Sequence, residues 1–139
     1  MGTFIDHRSS MNASTSTLNV PVGEPELFGV IGLQTRNIAG NGGLPGGLIV
    51  NLSGNISFEF TEGTVVDLTV VRGTTLGGTT LYQQTLTFTA DGADTIAFNV
   101  QDLEAPAALE TAYSAFVSLV SGAATRTGPE TFWGIASEG

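Results

Sequence analysis

The sequence contains no cysteine among its 139 residues. This absence excludes both a disulfide framework and a thiolate metal site. A chain of this length forms one domain by size and buries roughly two thirds of the surface that its unfolded form exposes. We therefore expect packing and hydrogen bonding to supply its stability.

Lysine is also absent, and four arginines face thirteen aspartates and glutamates, which gives a formal net charge of −9. Such a surface repels phosphate backbones, so we expect no nucleic-acid partner. Only 12% of the residues are charged. Long charged side chains normally protect exposed strand edges, and their scarcity favours a protein that contacts copies of itself. An ordinary acidic domain fits the composition equally well.

No apolar run approaches the ~20 residues that span a bilayer, so we expect no membrane insertion. Residues 1–20 lack the basic start and the apolar centre of a secretory signal peptide. The sequence therefore predicts either a protein that is made and left in a cytoplasm or a mature form.

Residues suited to catalysis are few. His7 is the only histidine, so it alone could serve as the base of a serine-type triad, and it lies in a polar N-terminal segment. Glu59 with Glu62 or with Asp67 could form a glycosidase pair. These carboxylates occupy ordinary solvent-facing strand and turn positions, so we predict no catalytic residues and no enzyme.

Two loops resemble ligand sites in part. Residues 37–47, NIAGNGGLPGG, lack the Lys-Ser/Thr ending and the following helix of a phosphate-binding loop. Asp91 and Asp94 flank a turn, but a calcium ion needs six or more oxygen ligands. We therefore predict neither a cofactor nor a metal.

Three aromatic residues could form a platform for stacking a sugar ring. Tyr82, Tyr113 and Trp133 alternate with small residues. This alternation favours packing of all three in the core.

Strand periodicity is the main structural signal. Apolar residues alternate with polar ones in residues 55–60 and again in residues 64–71, which is the two-residue period of half-buried strands. The short connection Thr61-Glu62-Gly63 has the length of a hairpin loop. We therefore predict a hairpin at the centre of the core.

Further strands are predicted at regular spacing along the chain. They cover residues 27–35, 48–52, 81–90, 95–100, 113–120 and 131–136. Residues 101–111 are the only stretch suited to a helical turn, which Pro106 would keep short. The pattern predicts an antiparallel β-sandwich of jelly-roll type. Its predicted core includes Val66, Leu68, Val70, Phe88, Phe98, Val117 and Leu119.

The N-terminal segment 1–19 is polar and predicts an extended connector arm ahead of a sandwich domain at 20–139. About 17 extended residues of this arm reach roughly 55 Å at ~3.3 Å per residue, far enough to leave its own subunit. We expect it to add a strand to a neighbouring subunit. The predicted subunit-contact residues are Phe4, Ile5, Asp6, Leu18 and Val20. A disordered tail is the alternative.

Several segments together resemble a known group of proteins. Residues 4–6 (FID), 27–33, 58–72 and 127–134 (TGPETFWG) resemble small exosporium proteins of Bacillus-type endospores and related endospore-appendage subunits. The resemblance implies a jelly-roll structural protein of the spore surface or an extracellular appendage. It further implies polymerisation into a fibre or lattice, with copies of itself and other spore-surface proteins as partners. Assembly inside the mother cell would account for the missing signal peptide. Unlike the cysteine-bearing appendage subunits, this chain cannot be cross-linked by disulfides.

A second function class stays open from the sequence. A trimeric jelly-roll module could bind carbohydrate or another surface protein. An exposed aromatic patch would distinguish this class from a self-assembling subunit.

Overall fold

The computed structural model describes residues 2–139, which form ten strands and their loops. The strands are β1 (Thr3–Ala13), β2 (Val20–Pro21), β3 (Glu26–Gln34), β4 (Leu48–Phe60), β5 (Val65–Arg72), β6 (Thr79–Thr87), β7 (Gly92–Asp102), β8 (Glu110–Ser121), β9 (Ala124–Arg126) and β10 (Glu130–Glu138). Within this range we find no helix that is long and apolar enough to cross a bilayer.

The strands form two antiparallel sheets, which confirms the predicted all-β class and sandwich. In sheet A the order across the sheet is β1, β10, β4 and β7. The short strands β2 and β9 pair with each other, and β9 pairs with the end of β4 beyond β10. In sheet B the order is β3, β8, β5 and β6.

The core lies between the sheets and is built from the apolar side of each alternating strand. Strand β4 shows the pattern most clearly, because its buried apolar residues are Leu48, Val50, Leu52, Ile56 and Phe58. From sheet B, β5 contributes three more buried residues to the same cluster. Each fully buried aliphatic or aromatic side chain of this kind contributes about 1.5–3 kcal/mol relative to exposure.

Most of the predicted core is confirmed. Five of its members are buried, namely Val66, Leu68, Val70, Phe98 and Val117. Phe88 and Leu119 are only partly buried and pack against the core. Phe88 lies just beyond the end of β6, where its ring stacks on Phe60 with 3.7 Å between the ring centroids.

The predicted central hairpin is wrong, because β4 belongs to sheet A and β5 to sheet B. The connection through Gly63 leads the chain from one sheet to the other. Two strands that face each other across a core bury their apolar sides just as two paired strands do, so alternation does not distinguish these arrangements. The predicted strands at 48–52 and 55–60 are one continuous strand of 13 residues.

Gly54 lies in the middle of that strand for a packing reason. A Cβ atom there would lie 2.5 Å from the ring of Phe98 and 2.6 Å from the carbonyl oxygen of Thr131. The absence of a side chain at Gly54 therefore leaves room for the Phe98 ring to pack against the sheet. The same ring packs edge-on against Phe28.

The helical turn predicted at residues 101–111 is absent, since residues 103–109 form a loop between β7 and β8. This loop pairs with the glycine-rich loop that follows β3. Backbone N–H groups of Thr35, Asn37, Gly40 and Gly42 donate to the carbonyl oxygens of Leu109, Ala108, Ala105 and Leu103, respectively. These bonds satisfy backbone groups that a helix would otherwise pair internally.

Candidate assembly interface: strand β1 and the outer face of sheet A

Strand β1 occupies one edge of sheet A, where it pairs antiparallel with β10 from Thr3 opposite Glu138 to Ala13 opposite Glu130. Irregularities interrupt the register after Phe4 and after Met11. Residues 3–13 of the predicted connector arm 1–19 thus form a strand of the chain's own sheet, while residue 1 lies outside the described residues. Backbone pairing supplies this contact, so the segment needs few apolar side chains to dock.

All five predicted subunit-contact residues contact their own chain. Ile5 is 8% exposed and belongs to the core, whereas Phe4 is 62% exposed. The polar composition of the segment predicted an arm ahead of the sandwich domain, whereas Ile5 is part of the core. The backbone N–H of Leu18 donates to the carbonyl oxygen of Thr127, and Val20 pairs with β9.

Asp6, the remaining predicted contact, joins β1 to sheet B. Its Oδ2 accepts a hydrogen bond of 2.8 Å from the backbone N–H of Gln34 and one of 3.0 Å from Arg8 Nε. Its Oδ1 accepts from the backbone N–H of His7 at 2.9 Å. The Gln34 bond is the main reason that the pKa of Asp6 is lowered, since it favours the ionised carboxylate.

The other end of β1 is held by a buried ion pair. Glu130, which is fully buried, accepts two hydrogen bonds of 2.6 Å from the guanidinium of Arg126. Asn12 of β1 donates to the same carboxylate at 2.6 Å. Hydrogen bonding to Glu130 raises the pKa of Arg126. Arg126 ends β9 and Glu130 begins β10, so the turn between these strands brings the two side chains together.

An exposed linker joins β1 to the rest of the chain. Residues 14–17 are all Ser or Thr, and their side chains are exposed to solvent. None of the residues 14–19 is buried. The linker therefore contributes little to the core, and the docking of β1 depends on its two ends and its backbone pairing.

The solvent side of sheet A, which we call the outer face, carries no Asp, Glu, Lys or Arg in its central rows. From strand register and alternation, the outer face comprises Phe4, His7, Ser9 and Met11 of β1, Thr131, Trp133, Ile135 and Ser137 of β10, Ile49, Asn51, Ser53 and Asn55 of β4, and Ala97, Asn99 and Gln101 of β7. The ring of His7 packs edge-on against Trp133 with 5.9 Å between centroids.

The three aromatic residues predicted to lie in the core separate in the structure. Tyr113 is fully buried and Tyr82 is partly buried. Trp133 instead lies on the outer face, because the neighbouring Phe132 and Gly134 point into the core. The prediction was therefore wrong for Trp133.

Glu59 and Asp67, one of the carboxylate pairs considered for catalysis, lie on different sheets. Glu59 is on the outward side of sheet A, whereas Asp67 is on the outward side of sheet B and accepts a hydrogen bond from Thr85. The backbone N–H of Glu62 donates to Asp91, which places both residues in a pair of adjoining turns. Within residues 2–139 no group of three or more His, Asp or Glu side chains could hold a metal ion.

Sequence reasoning missed a buried polar cluster that ties the two sheets together. Asp102, at the end of β7, accepts hydrogen bonds of 2.7 Å from Arg72 Nε and Nη2 and one of 2.8 Å from the hydroxyl of Tyr113. Burial by itself would raise the pKa of Asp102, but the bonds from Arg72 and Tyr113 outweigh it and lower that pKa. Burial, reinforced by the Asp102 charge, raises the pKa of Tyr113, so the phenol stays a donor.

No protein-family model matches the sequence, and no curated protein matches it. Solved structures resemble the fold. The T=1 particle protein derived from infectious bursal virus has a TM-score of 0.53 at 11% identity, covering 96% of this chain and 36% of that one. Eiger TNF from S. frugiperda has a TM-score of 0.52 at 13% identity, covering 97% and 92%. Dimeric latent PorU from Porphyromonas gingivalis has a TM-score of 0.52 at 10% identity, covering 99% and 13%.

The likeness is one of fold alone. This chain spans small fractions of the viral and PorU chains but nearly the whole of the TNF chain. At identities of 10–13% the comparisons support an all-β sandwich and give no evidence about function.

Proposed function

We propose that this protein is a non-enzymatic structural subunit that assembles head-to-tail with copies of itself, each β1 adding a strand to the sheet A of a neighbour. We also assign the sandwich to the jelly-roll type, which the strand orders β1, β10, β4, β7 and β3, β8, β5, β6 support. The resemblance to exosporium and endospore-appendage proteins supports a fibre or lattice at the spore surface.

The observation that carries the proposal is the way β1 is attached. It docks by edge pairing with β10, by the burial of Ile5 and by hydrogen bonds from Asn12 and to Asp6, while an exposed linker connects it to the body. The same contacts can form with β10 and with Gln34 of β3 in another copy. Strand and groove are different surfaces, so such exchange propagates a chain of subunits unless a rotation closes a ring.

A pair of introduced cysteines tests the exchange directly, because the chain has none of its own. Thr3 and Glu138 face each other at the end of the β1–β10 pairing, away from the centre of the outer face. Antiparallel partners lie roughly 4.5–5.5 Å apart between Cα atoms, a separation that a disulfide spans. Oxidation of the double variant Thr3→Cys/Glu138→Cys at high protein concentration is expected to produce a covalent ladder on a non-reducing gel.

The single variants Thr3→Cys and Glu138→Cys are the matched controls, and neither can extend a ladder beyond a dimer. If the double variant gives only internally linked monomers while electron microscopy shows filaments, β1 stays with its own chain and the exchange is wrong. If the wild-type protein stays monomeric at every concentration, the proposal of a self-assembling subunit is wrong as well.

One observation favours a second candidate function, a trimeric jelly-roll binding module that recognises carbohydrate or another surface protein. The outer face presents Trp133 with His7 against it, which is an aromatic patch of the kind that stacks on sugar rings. Titration of the protein with a panel of mono- and oligosaccharides, followed by tryptophan emission, tests this candidate. A saturable change for one sugar and none for the others would favour it.

A further inference from the structure

The outer face is unusual for its lack of charge. The chain carries thirteen Asp and Glu residues, yet the central rows of the outer face hold none. Along β4 the first charged residue on this side of the sheet is Glu59, near the end of the strand. Two copies of a chain with a net charge of −9 repel each other on approach. The outer face is the surface of sheet A on which two copies can meet without placing carboxylates against each other.

The size of the outer face is sufficient for a specific contact. Four strands spaced ~4.8 Å apart are about 19 Å wide, and rows over some seven to nine residues extend about 25 Å, giving roughly 500 Å² of projected area. Two such faces bury about 1,000 Å² in total, which is the lower size of specific interfaces. Five large apolar side chains that are exposed or partly exposed lie on this surface, namely Phe4, Met11, Ile49, Trp133 and Ile135.

Four polar side chains of the outer face form two hydrogen-bonded pairs between β4 and β7. Gln101 Nε2 donates to Asn51 Oδ1 at 2.7 Å, and the hydroxyl of Ser53 donates to Asn99 Oδ1. Groups that are already paired can be covered by another surface at low cost. They are less suited to recognising the many hydroxyl groups of a sugar, which need free donors and acceptors.

We propose that the outer face docks against the outer face of a second copy, with Trp133 at the centre of the contact. This inference rests on the proposed function and adds a second, separate contact to it. Exchange of β1 links subunits along a row, and the outer face joins one row to another. Since β1 supplies His7 and Met11 in either arrangement, the outer face is the same whether or not β1 is exchanged.

Trp133 provides the measurement, because it is the only tryptophan in the chain. Its emission maximum should shift to shorter wavelength as protein concentration rises, in parallel with the increase in mass measured by sedimentation equilibrium. Met11→Arg places a charge at an outer-face position that is 65% exposed and therefore tolerant of substitution. We expect it to raise the dissociation constant at least about tenfold, as a buried unpaired charge in an interface does.

Gln83→Arg is the matched control, since it adds the same charge at an exposed position of β6 in sheet B. Both variants reduce the net negative charge, so a loss of association with Met11→Arg cannot come from greater overall repulsion. Trp133→Arg should weaken association too, and circular dichroism will show whether it folds.

The outcomes separate this inference from the proposed function. If the protein associates while the Trp133 emission stays constant and Met11→Arg has no effect, the outer face is not the contact, although a cysteine ladder would still support exchange of β1. If Gln83→Arg weakens association as much as Met11→Arg, the effect is not local and the inference is wrong. If only a sugar shifts the emission, the occupant is a saccharide and the inference is wrong.

Discussion

At the scale of single residues, Asp102 is a buried carboxylate that joins the two sheets. It is 2% exposed and is the shared acceptor of Arg72 and Tyr113, which come from the other sheet. Asp102→Ala leaves both donors without their partner in a buried site, so we expect a loss of about 3–5 kcal/mol in unfolding free energy. Urea denaturation measures this, and a loss below about 1 kcal/mol would mean that water replaces the carboxylate at little cost.

Phe98 tests the core in the same way. Its ring is 4% exposed and packs against Phe28, Phe132 and the backbone at Gly54. Phe98→Ala should lower the unfolding free energy by roughly 3–5 kcal/mol, because the cavity adds to the lost burial. Phe4→Ala is the matched control at a position that is 62% exposed. Equal effects of the two variants in thermal and urea unfolding would contradict the assigned core.

Asp6 makes the docking of β1 depend on pH. Its pKa is lowered from 3.8 in the folded protein, chiefly by the Gln34 hydrogen bond. The stabilisation is therefore complete above the unfolded pKa and is lost as the pH falls through the folded pKa. We expect Asp6→Asn to be less stable than wild type at neutral pH and the two proteins to converge once the pH falls below the folded pKa of Asp6. A difference that stays constant from neutral to acid pH would show that the ionised carboxylate is not responsible.

At the scale of elements, the positions of most long strands of the sandwich could be predicted from the sequence, with β1 as the exception, but their pairing could not. Alternation identifies the buried side of residues 55–60 and 64–71 without indicating which sheet each joins. The orientation of β10 was predicted wrongly for a physical reason. Trp133 and Ile135 are more hydrophobic than Gly134 and Ala136, yet the two small residues face the core. The core leaves no room for a larger residue there, because a Cβ at position 134 would lie 2.7–2.8 Å from Leu52 and Ile31.

The candidate site was predicted in part. The sequence identified the segment 1–19 as the element to test, since it is polar and extended. It did not indicate Asn12 or Glu130, because a contact between residues 118 positions apart leaves no local pattern. The same holds for Arg72 and Asp102, which come together only when both sheets form.

Strand β1 gives a prediction at the same scale. Deletion of residues 2–16 should yield folded subunits that do not polymerise, since the groove along β10 remains while the strand that fills it is gone. A synthetic peptide of residues 2–16 added to this variant should bind and restore protection of the β10 amides. Circular dichroism, electron microscopy and amide exchange measure the three properties. Filaments of unchanged appearance from the truncated protein would show that β1 is not the connector.

At the scale of the whole molecule, the net charge of −9 opposes every contact between copies. Added salt screens this repulsion, with a Debye length that falls from ~30 Å at 0.01 M to about 8 Å at 0.15 M. We therefore expect self-association to strengthen as sodium chloride rises over this range. Sedimentation equilibrium measures it, and weakening with salt would indicate that ion pairs carry the contact instead.

The central position of β10 in sheet A has a consequence for the order of synthesis. Strand β10 lies between β1 and β4, although it is the last of the described strands to leave the ribosome. Until then β1 has no backbone partner in its own nascent chain, and its edge is open to any completed copy nearby. Polysomes on which several chains grow side by side would hold such copies at high local concentration. The β1 strand of a nascent chain can therefore pair with a neighbour before the β10 of its own chain becomes available.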